Sequence, residues 1–387
     1  MKLSRIALAA ALCLASAAGQ ATSVASVLPT GTTTAAPGPY VVESIRTLTT
    51  TGGRLTWSAD GQWIYYDRRE ADGYFDLFRM RPDGTANECL TCGRTDLPSR
   101  HIGNPTLHPS GRFVVFQVEK EMHAAVPAGA TTIPGGGAYN DLWLMDLAAA
   151  GRPVTRLTNV ARDTFSGSLH PHFSNDGRKL LWTDFEAFSG VFFDSRLAVA
   201  DLVFTSGVPA LANLQHFNPG PQPVFIETHG WGPGDAWVYF ACTPKAGMAD
   251  ENMDICRMDF ATPTVVTRMT ASSGIDGEPG EWDEHGHLSP AFDAYTWMSS
   301  RGFGTAPGTP YRDWLKTELW LRVTASSAPQ GPQRLTFFNQ PGHAQYRGER
   351  VIVADHAWSP DGREIAIYLQ LFESGRHEVQ ILRFAPR

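Results

Sequence analysis

Apolar and polar residues alternate along this chain in short runs, and the runs come in a recurring order. One kind reads Gln62-Trp63-Ile64-Tyr65-Tyr66 or Arg178-Lys179-Leu180-Leu181-Trp182. A second follows it as Phe75-Asp76-Leu77-Phe78-Arg79-Met80, Asp141-Leu142-Trp143-Leu144-Met145-Asp146, Arg196-Leu197-Ala198-Val199-Ala200-Asp201 and Glu318-Leu319-Trp320-Leu321-Arg322. A period of two with aromatic and β-branched enrichment predicts half-buried strands. Ahead of these runs stands a phrase that closes on a tight turn: Trp57-Ser58-Ala59-Asp60-Gly61, His170-Pro171-His172-Phe173-Ser174-Asn175-Asp176-Gly177 and Asp355-His356-Ala357-Trp358-Ser359-Pro360-Asp361-Gly362. Relatives of it fall at 104–111, 228–235 and 285–290. A shorter fourth phrase recurs as Cys89-Leu90-Thr91, Arg156-Leu157-Thr158, Arg268-Met269-Thr270 and Arg334-Leu335-Thr336, and is degenerate in the third repeat near 214–217.

Repeats of four short strands at a spacing of about fifty to seventy residues predict a radial β-repeat that closes on itself. The expected fold is all-β, a six-bladed β-propeller. The sixth repeat stops after its third strand, while an unused fourth-strand phrase, Arg46-Thr47-Leu48-Thr49, precedes the first. The N-terminal segment is therefore expected to pair with the last blade, which removes exposed sheet edges and makes 40–387 a single domain.

Composition adds the compartment. Lys2 and Arg5, the apolar stretch 6–14 and the small residues Ser16-Ala17-Ala18 read as a signal peptide over 1–21, followed by a flexible lead-in over 22–39 rich in Ser, Thr, Ala, Gly and Pro. The protein is expected to be periplasmic or secreted. No segment is long and apolar enough to predict a membrane span. Beyond the signal lie Cys89, Cys92, Cys242 and Cys256. An oxidising compartment favours pairing them, and Cys242 and Cys256 fall in consecutive strands of one repeat, where a disulfide across the hairpin fits. A net charge of −7 with interspersed signs leaves no electrostatic footprint for nucleic acid.

The candidate chemistry lies in the turn-closing strands. Six of the twelve histidines occupy nearly the same register there: His170 and His172, His229, His285 and His287, and His356. Inner strands line the channel of a propeller, so equivalent positions far apart in sequence meet around one axis. Strand periodicity puts His170 with His172, and His285 with His287, on one face each. Neutral imidazole is the commonest ligand of transition metals. A divalent ion such as Mn, Zn, Fe or Cu is thus expected on His172, His229, His285, His287 and His356, near the channel mouth, with His170 as an acid-base group. Glu281 and Glu284, just ahead of His285, can orient a ligand or act as general base. Arg301 follows the second strand of its blade and can hold a substrate carboxylate. Trp231, Trp282 and Trp314 are candidates to stack on sugar faces.

The Trp-Ser-Pro-Asp-Gly phrase at 358–362, with its relatives at Trp57 and Phe173, resembles the repeat of the TolB-type β-propellers, over essentially the whole chain beyond the signal. That resemblance implies a propeller, and in such proteins the channel serves as scaffold, peptidase gate or lyase site alike. His285 and His287 with His356 are further similar to the oligogalacturonate lyases, which place inner-strand histidines around a manganese ion. Those enzymes have seven blades and a glutamine ligand, whereas six repeats are legible here and the nearest glutamine, Gln345, falls in a loop. Three functions follow as expectations. The leading one is a metal-dependent, lyase-like β-elimination on a small-molecule or oligosaccharide substrate of uronate type. The others are a non-catalytic propeller docking a protein or peptide partner, and a four-histidine metal oxidase or oxygenase.

Overall fold

The computed structural model describes residues 40–386, apart from 127–130, 163, 189–192, 223, 247, 249–251, 307–308 and 325–330. The expected signal peptide (1–21) and lead-in (22–39) lie outside the described residues. Six four-stranded antiparallel sheets form from these residues. Their inner strands are Leu55–Trp57, Ile102–Leu107, Gly167–Phe173, Ile226–Trp231, Asp283–Leu288 and Val351–Trp358, which number the blades 1 to 6. Each inner strand touches the next, and that of blade 6 touches that of blade 1, so the sheets form a closed ring. No described helix is long and apolar enough to cross a membrane.

Blade 6 is completed from the other end of the chain. Its outer strand is Val42–Thr49, paired antiparallel with Arg376–Phe384. The prediction that the N-terminal segment closes the ring is borne out. Tyr40 seals the junction, its ring edge-on to Trp358 and Phe384 and its hydroxyl donating to Asp293 Oδ1 at 2.9 Å. One element departs from expectation. The outer strand of blade 3, Val208–Phe217, spans ten residues rather than degenerating, because its partner Phe193–Thr205 runs on past the sheet and carries it along.

The turn phrase explains how each inner strand reverses. The hydroxyls of Ser58, Ser174 and Ser359 donate to Asp60, Asp176 and Asp361 and accept the backbone N–H of Trp63, Lys179 and Glu364, each at 2.9 Å. Gly61, Gly177 and Gly362 then sit at φ 68°, 74° and 69°, a conformation that glycine adopts without the Cβ penalty. Just before the turn, Trp57 and Trp231 donate their indole N–H to the carbonyls of Ala357 and His172 in the preceding blade, both at 3.1 Å. The repeated tryptophan is thus an inter-blade clamp as well as a core residue.

Candidate metal centre in the propeller channel

The inner strands carry a second repeated feature, absent from the sequence pattern. In blades 2 to 6 the ladder slips at nearly the same level, between Gly103/Thr106, Leu169/His172, Thr228/Gly230, Glu284/His287 and Val353/Asp355. Asn104, His170 and His285 stand in the slips with φ of 52°, 48° and 49°. Left-handed backbone at such residues costs about 1–3 kcal/mol each and persists only where the surroundings enforce it. The bulges break the alternation that would have placed His170 with His172 and His285 with His287. The His170 ring instead faces His229 and His285, at centroid distances of 5.7 and 5.6 Å, while His172 faces His287 at 6.4 Å.

His170, Glu227, His229 and His285, from blades 3, 4 and 5, converge so that one ligand atom of each lies within 4.8 Å of all the others. Glu227 Oε1 is 3.0 Å from His170 Nε2 and 3.6 Å from His285 Nδ1. Donors bound tetrahedrally at 2.0–2.1 Å from an ion stand about 3.4 Å apart, close to the two distances from Glu227. All four residues are buried. His170 Nε2, Glu227 Oε1, His285 Nδ1 and both ring nitrogens of His229 make no aligned hydrogen bond to the protein, and the one close approach among them is the 3.0 Å between His170 and Glu227. A buried polar atom left unpaired costs about 1–3 kcal/mol. One cation can take a lone pair from each of the three imidazoles and from the carboxylate. The donor set therefore fits a divalent transition metal.

The electrostatics agree. Burial, reinforced by the neighbouring rings, holds His170 and His229 well below the usual histidine range and pushes His172 and His285 down to about 3. These rings are neutral, the form that ligates. Burial and then the adjacent Glu284 push the Glu227 carboxyl well above its ordinary value, against the pull of Arg54. A bound cation reverses that preference.

Two cavities flank the cluster. One, of about 430 Å³, opens among the turn ends of the inner strands and is lined by His170, His172, His229, His287, Asp355 and Trp231. The other, of about 520 Å³, opens at their beginnings and is lined by Arg54, Glu227, Glu284, His285, Trp282 and Tyr311. The histidines accordingly sit inside the channel between its openings, rather than at the mouth. Arg54 Nη1 donates to the Pro134 carbonyl at 2.9 Å, and its guanidinium packs against Gly135, where a Cβ would stand 1.9 Å from Cζ. Its Nε is buried without a partner. Asp355 is held well below the carboxylate range: burial alone would raise it, and His285, His287 and Arg54 outweigh that.

No protein-family model matches the chain, and no curated protein matches it. Solved structures do. A putative TolB from Agrobacterium tumefaciens is similar at 15% identity, over 90% of this chain and 100% of that one, with a TM-score of 0.51. The fold is similar to that of the TolB-type six-bladed propellers. TolB from Acinetobacter baumannii (15% identity, 87% of this chain, 64% of that one, TM-score 0.45) and a glucose dehydrogenase (11%, 89%, 100%, TM-score 0.48) also match.

Against the expectations from sequence, the structure gathers all six histidines in the channel but divides them. His170, assigned an acid-base role, stands among the ligand atoms. His287 and His356 form a second group with Asp355. His172 donates Nε2–H to the Thr228 carbonyl at 3.1 Å, which leaves its Nδ1 as the lone-pair nitrogen. Glu284 belongs to the site: its Oε2 accepts from Trp282 Nε1 at 2.9 Å and lies 3.7 Å from His285 Nε2. Glu281 and Arg301 do not belong to it. They face each other at 4.0 Å, Arg301 lies over the Trp320 ring, and neither lines a flanking cavity. The reason is position: both sit outside the inner strand, beyond its first residue. Sequence reading missed Glu227, Asp355 and Arg54. The signal for Glu227 was present, since it precedes His229 by two residues in a strand.

Proposed function

We propose that the protein is a metal-dependent enzyme that holds a divalent transition metal on His170, Glu227, His229 and His285 and acts on a small carboxylate-bearing substrate in its channel. The observation that carries this reading is the convergence of buried, unpartnered donor atoms from three blades in a space of ionic size. The flanking cavities match small ligands rather than macromolecules. On the side of Arg54, the guanidinium can pair with a substrate carboxylate, and the exposed ring of Tyr311 can pack against a sugar. A bound metal supplies Lewis acidity there. A β-elimination beside that carboxylate is the reaction we favour. Glu284 takes the proton from the carbon next to the carboxylate, and the C–H electron pair forms the double bond. The C–O bond to the leaving group breaks, and the departing oxygen is protonated by water. Uronate-type oligosaccharides are the corresponding substrate class. Export to the periplasm or beyond goes with this proposal, supported by the N-terminal pattern and by the disulfides Cys89–Cys92 and Cys242–Cys256.

The test is metal analysis by ICP-MS on protein purified without a histidine tag, beside a Glu227→Gln/His229→Ala variant, followed by ultraviolet detection of unsaturated product from uronate polymers. Metal that is lost in the variant, with product formed only by the parent, is the expected result. Metal without product would reject the elimination and turn the search to redox substrates. Absence of metal from a folded parent, even after incubation with Mn(II), Zn(II), Fe(II) and Cu(II), would overturn the reading and favour a propeller that docks a protein partner.

A further inference from the structure

Beside the first cluster, the channel holds donors that its ion would not use. His287, from blade 5, and Asp355 and His356, from blade 6, each present a ligand atom, and these lie within 4.8 Å of one another. Hydrogen bonding fixes which nitrogen of His356 is free. The Thr296 hydroxyl lies 3.2 Å from the His287 carbonyl, to which only it can donate. With its one hydrogen used, Thr296 Oγ accepts from Trp358 Nε1 at 3.0 Å and from His356 Nε2 at 2.7 Å. Nε2 therefore carries the hydrogen, and the lone pair of His356 is on Nδ1. That atom is buried in a fully buried residue and has no partner. Its ring stands edge-on to His287 at 4.7 Å. Asp355 Oδ1 lies 3.3 Å from His287 Nε2 and 3.8 Å from His285 Nδ1, so one carboxylate stands between the two groups of histidines.

We propose that the channel binds a second divalent transition metal on His287, Asp355 and His356, with Asp355 bridging it to the ion of the first cluster. The proposal rests on the metal reading above and extends it to a two-metal centre. Thr296 acts as a positioning residue, orienting His356 as carboxylates and carbonyls orient ligating histidines elsewhere. Three protein donors leave a coordination position open, the arrangement of catalytic rather than structural sites. His287 and Asp355 line the 430 Å³ cavity, so the open position faces it and takes an oxygen donor, either water or an oxygen of a small anion.

Titration of the metal-free full chain with Mn(II), followed by ICP-MS after gel filtration and by EPR, tests this. Two equivalents per chain are expected, with a spin-coupled signal growing in as the second binds. His287→Ala/His356→Ala should retain one equivalent and an uncoupled signal. If that variant fails to fold by circular dichroism, Thr296→Val keeps every ligand and should weaken only the second equivalent, by roughly 10–100-fold. One equivalent in the parent, or two that persist unchanged in these variants, overturns the second site while leaving the first. No binding at all would overturn the first reading and this one with it.

Discussion

Glu227 shows how a single residue decides what the channel can do. A fourth imidazole in its place would make a neutral shell; a carboxylate supplies charge to offset a divalent ion in a buried site. Its replacement by the isosteric Gln should leave the fold intact and weaken metal binding by more than the roughly 10–100-fold that loss of an outer partner costs, read by competition with a chelator. A Gln variant that binds as the parent does would remove Glu227 from the shell. Arg54 makes the opposite test. It touches no ligand atom within bonding distance, so Arg54→Met should keep the metal content while raising KM for a carboxylate substrate with a smaller change in kcat. Unchanged KM would free Arg54 from substrate binding.

At the scale of elements, the inner strands combine a regular turn with an irregular middle. The serine, aspartate and glycine of the turn are local in sequence and act through local hydrogen bonds, so the turn was legible. The bulge is imposed by pairing and by what the channel must enclose, and no residue type marks it: Asn104, His170 and His285 occupy it alike. Its consequence, the separation of His170 from His172, was therefore not legible. In blade 4 the disulfide Cys242–Cys256 joins neighbouring strands across a separation of 14 residues. A Cys242→Ser/Cys256→Ser variant is expected to lose about 3 kcal/mol of stability, measured by urea denaturation of the metal-free protein. A loss near zero would mean that the hairpin is held by packing alone.

The whole molecule closes through blade 6, whose inner strand also carries Asp355 and His356. Removing residues 40–50 strips that blade of its outer strand and Tyr40, and should lower the melting temperature and the metal content together. An unchanged metal content would show that the ring holds its channel without the closing strand. Burial of neutral histidines has a further global consequence. His170, His172, His229, His285 and His356 have their folded-state values pushed down, mainly by burial. The unfolded chain takes up protons near pH 6.5 that the folded state refuses, so stability is full above that pH and falls below it. The carboxyls of Glu227, Asp67 and Asp283, shifted upward by burial, work in the opposite sense and offset part of the effect of the five rings. The metal-free protein should therefore melt at a lower temperature at pH 5 than at pH 7.5, and a higher one would contradict the neutral, buried state of these rings.

Sequence by itself determined the blade count, the strand order, the closing strand and the register that brings six histidines into one channel. Each of those follows from period-two patterning and short-range turn chemistry repeated along the chain, which the linear order records. Only the tertiary structure decided which histidines meet, that Glu227, Glu284, Asp355 and Arg54 join them, and that Glu281 and Arg301 stay outside. Those outcomes depend on side chains from different blades sharing one desolvated space, where bulges a residue wide change which face a ring points from. Contacts of that kind lie far apart in sequence and leave no periodic trace in it.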